Sequence, residues 1–105
     1  MYKFTTPKHT FRFPETVDPA ELAEILITYA QEGRTVLEKR KDDLSFGEDN
    51  IAWFVLTQED TALFRAGRYA EIQVRILFAT GESFASQKKR VEILGVLHEG
   101  VLEVE

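Results

Sequence analysis

The pattern of apolar and polar positions alternates with a period of two over most of the chain, and it breaks at glycines and acidic clusters. The clearest alternation runs through Tyr69–Ala79, where Ile72, Val74, Ile76 and Phe78 share one face and Glu71, Gln73 and Arg75 the other. Such spacing predicts a half-buried β-strand, because successive side chains in a strand point to opposite faces. Thr80-Gly81-Glu82 then reads as a hairpin connection into a partner strand that starts near Ser83, contains Phe84 and continues past Lys88-Lys89-Arg90 to Val91 and Ile93. Three bases within a strand pattern predict a solvated edge or a bulge.

A second hairpin is expected earlier. Glu24–Gln31 alternates Ile25, Ile27 and Tyr29 against Glu24 and Thr28, Glu32-Gly33 supplies the turn, and Arg34–Arg40 returns. A short element at Leu44–Phe46 lies between the loop clusters Asp42-Asp43 and Gly47-Glu48-Asp49-Asn50. Ile51–Leu56 is apolar on both faces, with Ala52, Phe54 and Leu56 on one and Ile51, Trp53 and Val55 on the other. Strands buried on both sides read this way, and so do strands whose outer face meets a partner.

Two helical turns interrupt the strands. Asp18-Pro19-Ala20-Glu21 combines an N-cap carboxylate, a proline at the first helical position and an acid in the first turn. Thr57 followed by Asp60 has the spacing of a capping box, and the turn it opens carries Leu63 and Phe64, expected to plug one end of the molecule. The expected fold is an all-β, antiparallel, immunoglobulin-like β-sandwich with one or two short helical turns, a single domain over 1–105. The alternative is a small barrel or α+β domain in which 18–30 forms one amphipathic helix. Phe54, Phe78 and Phe84 are the expected aromatic core members.

Composition narrows the chemistry more than it names a function. The 105 residues contain no cysteine, which removes disulfides, thiolate metal sites and cysteine nucleophiles. Asp and Glu number 18 against 13 Lys and Arg, and the net charge of −5 gives little support to nucleic-acid binding. No apolar stretch is long enough to suggest a membrane span, and Met1-Tyr2-Lys3-Phe4 is not followed by the apolar run of a signal peptide. Synthesis in a host cytoplasm is therefore expected. His9 and His98 read as isolated surface histidines, and the acid pairs Asp42-Asp43, Glu48-Asp49 and Glu59-Asp60 as solubility and capping features. None of Ser45, Ser83 and Ser86 sits in a nucleophile-elbow context, and no phosphate-binding glycine loop is present. The reading is a protein that is not an enzyme and needs no cofactor, catalytic residue or metal. Trp53, Tyr2, Tyr29 and Tyr69 keep a carbohydrate-stacking module open as a second reading. An enzyme or enzyme-bound regulator would need a cleft gathering His98 or the loop acids.

Leu56-Thr57-Gln58-Glu59-Asp60-Thr61, Phe64, Gly67, Gln73-Val74-Arg75, Gly81, Ala85-Ser86 and Leu97-His98-Glu99-Gly100-Val101-Leu102 carry a family resemblance. From Ile51 onward the chain resembles small prophage-encoded proteins of Gram-positive bacteria, which are similar to the immunoglobulin-like N-terminal domain of phage upper baseplate proteins. Those baseplate proteins continue into further domains that these 105 residues do not include. The resemblance implies a structural or assembly protein of a phage or prophage tail, acting through protein–protein contacts and present in the virion once assembled. Its partners would be tail or baseplate proteins or further copies of itself, as a homo-oligomer. The resemblance also implies that Leu56, Phe54 and Ala52 point inward, leaving Ile51, Trp53 and Val55 as an outward apolar stripe and the candidate interaction surface. The last residues, Leu97–Glu105, mix Val101, Leu102 and Val104 with Glu99, Glu103 and Glu105. They are expected either to add a strand to a sheet edge or to fray.

Overall fold

Local alternation becomes two antiparallel sheets in a computed structural model that describes residues 1–104. The strands are β1 (Lys8–Arg12), β2 (Glu24–Gln31), β3 (Arg34–Arg40), β4 (Ser45–Phe46), β5 (Ile51–Val55), β6 (Tyr69–Leu77), β7 (Ser83–Ala85) and β8 (Lys89–Glu92), and one short helix, α1 (Gln58–Ala62), lies between β5 and β6. One sheet has the order β1-β5-β4, and the other has β3-β2-β6 with β7 and β8 both paired to β6. With β1 and β5 taken as the B and E strands, the two sheets become B-E-D and C′-C-F-G, the strand arrangement of an immunoglobulin sandwich with the extra C′ strand of variable domains.

The β2–β3 hairpin forms where expected. Glu32 and Gly33 both have positive φ, 52° and 77°. That is the backbone of a type I′ turn, whose twist matches that of the flanking strands. Glycine takes such a φ without penalty, and the Glu32 carboxylate on the turn forms exposed ion pairs with Arg65 and Arg68. Residues 18–30 do not form one helix. Asp18 accepts a hydrogen bond from the Ala20 N–H and caps a single 3-10 turn at Pro19–Glu21, but Leu22 is already extended. Ile25, Ile27, Tyr29 and Gln31 then alternate inward, an arrangement a helix cannot provide.

The core lies between the sheets and is made of Ile25, Ile27 and Tyr29 from β2, Ala52 and Phe54 from β5, and Ala70 from β6. Phe13, Leu22, Leu44, Leu56, Phe64 and Ile93 complete it. Its aromatic membership differs from the expectation. Phe54 is buried, Phe78 is only partly buried, and Phe84 is 55% exposed. Phe84 sits on β7 opposite Ile76, at a margin where no strand lies beyond it, and stacks edge-on against Phe78.

The helical plug is half of what the sequence suggests. Phe64 is 1% exposed and packs edge-on against Tyr29, whereas Leu63 points to solvent. The capping box is complete: Thr57 accepts from the Asp60 N–H, and Asp60 accepts from the Thr57 N–H. Thr61 is fully buried beneath it, its Oγ1 accepting from the Thr5 N–H and donating to the Thr5 carbonyl. Likewise the buried Gln31 amide donates to the Arg65 carbonyl and accepts from the Arg65 N–H. Two side chains thus replace backbone pairing at the pole where the chain crosses between sheets.

The basic run does coincide with a bulge. Arg75 pairs with Ala85 and Ile72 with Lys89, so Gln73 and Val74 face Ser86, Gln87 and Lys88. One extra residue splits the final strand into β7 and β8. Ser86 bridges the break, its N–H donating to the Val74 carbonyl and its Oγ accepting from the Val74 N–H.

Candidate functional site

The outward stripe on β5 is built by register. Lys8 lies opposite Val55, Thr10 opposite Trp53 and Arg12 opposite Ile51, while Ser45 flanks Trp53 from β4. Directly paired residues project to the same side of a sheet, so Lys8, Thr10, Arg12 and Ser45 frame Ile51, Trp53 and Val55 on the outer face. Ala52, Phe54 and Leu56 are buried and occupy the inner face.

Exposure along the stripe is uneven. Val55 is 49% exposed, whereas Ile51 and Trp53 are half-buried. Part of the cover over Trp53 is the Lys8 side chain, whose Nζ stands 4.2 Å from the indole centroid. This is a cation–π contact on a flexible stem, and it can be moved aside at small cost. The face is therefore an apolar strip with cations along its β1 side.

A second feature was not visible in the sequence. Between β1 and the β6–β7–β8 margin the two sheets stand apart, leaving a groove of about 750 Å³. Its floor is the inner face of β6, with Ile72, Val74 and Ile76; Phe11 and Phe13 stand on one wall, and Phe84 and Val91 on the other. Among the described residues, β1 has β5 as its only strand neighbour, and β7 and β8 have only β6. The β1 wall therefore presents unpaired backbone along one side, and so does β7, whereas the end of β8 is met by the N-terminus: the Met1 ammonium donates to the Glu92 carbonyl and Tyr2 bridges Leu94 just beyond it. The immunoglobulin arrangement puts strand A beside B, and among the described residues no strand occupies that place beside β1. Sequence alternation reports which residues face inward, but not that a strand needed to cover them is missing.

His9 corrects the reading of an isolated surface histidine. It points inward from β1, and its Nδ1 lies 2.5 Å from the hydroxyl of fully buried Tyr29. The rings stack at 5.7 Å, and Phe54 meets His9 edge-on at 6.0 Å. Burial, with a smaller contribution from the terminal ammonium, pulls the imidazole below its ordinary value. Burial pushes the Tyr29 hydroxyl well above the usual tyrosine range, with Asp60 adding to it, so we assign the hydroxyl as donor to a neutral imidazole. Between the depressed folded value and about 6.5 the unfolded chain holds more protons than the folded one. The contribution of His9 to stability is thus complete above that interval and is lost as pH falls through it. Chemical denaturation across pH 5–7.5 should show this decline, and His9→Phe should flatten it; an unchanged slope in the variant would assign the decline to other groups.

Tyr29 is withdrawn from any carbohydrate platform by its burial. Tyr69 is exposed and carries the Arg90 guanidinium 5.8 Å from its ring centroid. His98 and the paired acids are not brought together: among the described residues no three His, Asp or Glu side chains form a metal-sized group.

No family model matches the chain, and no curated protein matches it. Among solved structures, the V domain of amphioxus IgVJ-C2 is similar to it, with 13% identity and a TM-score of 0.38 over 91% of this chain and 97% of that one. Overlap at that level says nothing about activity or partners, and the immunoglobulin-like description of this chain rests on its two-sheet antiparallel strand order.

Proposed function

We propose that this protein is a non-enzymatic assembly module of a phage or prophage tail, baseplate-like, that works by docking its outer β5 face onto protein partners. The observation that carries the docking reading is the continuity of Ile51, Trp53 and Val55 at successive outward positions of one strand, with Lys8 and Arg12 beside them. An apolar centre with a cationic margin is the usual anatomy of a protein contact, in which a buried tryptophan contributes disproportionately. The tail assignment comes from the resemblance of residues 51–102 to prophage proteins.

Trp53→Ser tests it. The variant is expected to lower the sedimentation mass of self-assembled or partner-bound protein while leaving the β-type circular dichroism intact. Loss of the folded spectrum would show Trp53 to be a core residue. A glycan array would discriminate the carbohydrate-binding reading: a monomer that binds glycans through Trp53 overturns the assembly function.

A further inference from the structure

The open groove between β1 and the β7–β8 margin is a separate surface from the outer β5 face and shares with it only the β1 side chains Lys8, Thr10 and Arg12. It exposes the apolar interior of the sandwich along most of β1, and its mouth is basic. Lys8 and Arg12 stand on the β1 side, and Lys89 lies opposite Ile72 on the core-facing side of β8, with Lys88 and Arg90 next to it in the chain. Three of the 13 Lys and Arg side chains, Lys8, Arg12 and Lys89, line this opening, and no Asp or Glu among the described residues lines it.

The segment from Leu97 to Val104 has the complementary character. Leu97 and Val104 are fully exposed, and Leu102 is 71% exposed. In an extended conformation Leu102 and Val104 fall on one face, while Glu99, Val101 and Glu103 fall on the other. Within its own chain this segment is held on the surface, where the Gln58 side chain accepts from the Leu102 N–H and donates to the Leu102 carbonyl. That contact occupies one residue and buries neither Leu102 nor Val104.

We propose that the groove is an acceptor for the 99–104 segment of a second copy of this chain, added as a strand along the free edge of β1. Leu102 and Val104 enter between Phe11, Val74 and Phe84, while Glu99 and Glu103 lie on the outward face beside Lys8 and Arg12. The new backbone ladder pairs the open side of β1, and the side chains close the missing layer of the sandwich, so main-chain bonds supply affinity and the two apolar residues supply register. Opposite charges on rim and segment set the orientation and favour this occupant over a neutral or basic strand. Two copies that exchange segments reciprocally close as a dimer; a one-way exchange propagates into a chain of subunits.

The test is complementation between two variants, both carrying Val55→Lys so that the outer β5 face cannot contribute. The donor-defective variant has Leu102→Glu and Val104→Glu, and the acceptor-defective variant has Phe84→Glu; all these positions are exposed, so folding is retained. The Val55→Lys parent is expected to sediment at twice the 12.1 kDa chain mass or more, and each variant alone at the monomer mass. Mixing the two variants should restore association, because one contributes an intact segment and the other an intact groove. Added Arg12→Glu in the donor-defective partner should weaken the recovered complex about tenfold, the effect of losing roughly 1.4 kcal/mol. A monomeric parent, unchanged mass in either variant, or a mixture that stays monomeric would each overturn the proposal. A failure confined to Trp53→Ser would overturn only the outer-face function.

Discussion

Phe64→Ala is expected to destabilise the protein by about 3–5 kcal/mol, the range for deleting a buried phenylalanine that its surroundings cannot refill. Phe64 is 1% exposed and lies beneath α1, with its ring edge-on to Tyr29 at 5.9 Å. Tyr29 in turn meets Phe54 and His9. The four rings form one connected cluster joining β1, β2, β5 and the helical connection, and removing one leaves a void shared by both sheets. A protein of this size has a total stability of about 5–15 kcal/mol, so the variant should lose a large part of it. Thermal denaturation should show a fall in Tm on the order of 15–30 °C. A fall below about 5 °C would mean that Leu63 or its neighbours refill the site. Leu63→Ala provides the contrast: its side chain is 59% exposed and should change Tm by little.

Asp60→Ala is expected to cost about 2–3 kcal/mol, the sum of a lost helix cap and a lost half-buried ion pair. Its carboxylate accepts from the Thr57 N–H at 3.0 Å and from Lys39 Nζ at 3.2 Å, with the two side chains of the ion pair 16% and 20% exposed. Burial pushes the Asp60 carboxyl up, but the Thr57 N–H and side chain and the Lys39 ammonium outweigh it and hold the group below its ordinary value. For an acid with a depressed folded value the sign is definite: stabilisation is complete above the ordinary carboxylate range and is lost as pH falls toward the folded value. Urea unfolding at pH 7 and at pH 3 checks both parts. The difference between wild type and Asp60→Ala should be large at pH 7 and should shrink in acid. Asp60→Asn separates geometry from charge, because it can still accept from the Thr57 N–H but loses the ionic attraction to Lys39.

Local pattern carried most of the secondary structure, and the reason is visible in particular residues. Ile25, Ile27 and Tyr29 alternate strictly, and each ends fully buried. The helix signals at Asp18-Pro19 are real but spend themselves in one turn, because Leu22 is buried in an extended conformation and Ala23 donates its N–H to the Leu77 carbonyl across the sheet. Thr57 and Asp60 sit close in sequence, so their reciprocal cap was readable in advance. What alternation cannot report is lateral position within a sheet. Phe84 and Phe54 both occupy inward-facing places, yet Phe84 lies on the last strand with nothing beside it, and Phe54 lies on the central strand of its sheet. The same limit hid the groove, a property of how two edges stand relative to each other. His9 escaped notice because its partner, Tyr29, lies on the other sheet, and no spacing along the chain links them. The direction of the stripe at Ile51, Trp53 and Val55 was not legible in the pattern, because Ile51–Leu56 is apolar on both faces, and only the family resemblance implied it; the Lys8 stem over the indole was not legible at all.

The pairing of β1 with β5 has a consequence for how the molecule is acquired. The β2–β3 hairpin closes a turn of two residues, Glu32 and Gly33, before any distant contact is needed. Joining Arg12 to Ile51 must first immobilise the whole 13–50 stretch, and loop-closure entropy makes that on the order of 2–3 kcal/mol more expensive than the hairpin turn. Among the described residues no strand on the other flank of β1 shares that expense, because its second edge borders the groove. The four-ring cluster through His9, Tyr29, Phe54 and Phe64 is therefore also a kinetic rivet, returning enthalpy at the point where the first strand must be brought in from far along the chain.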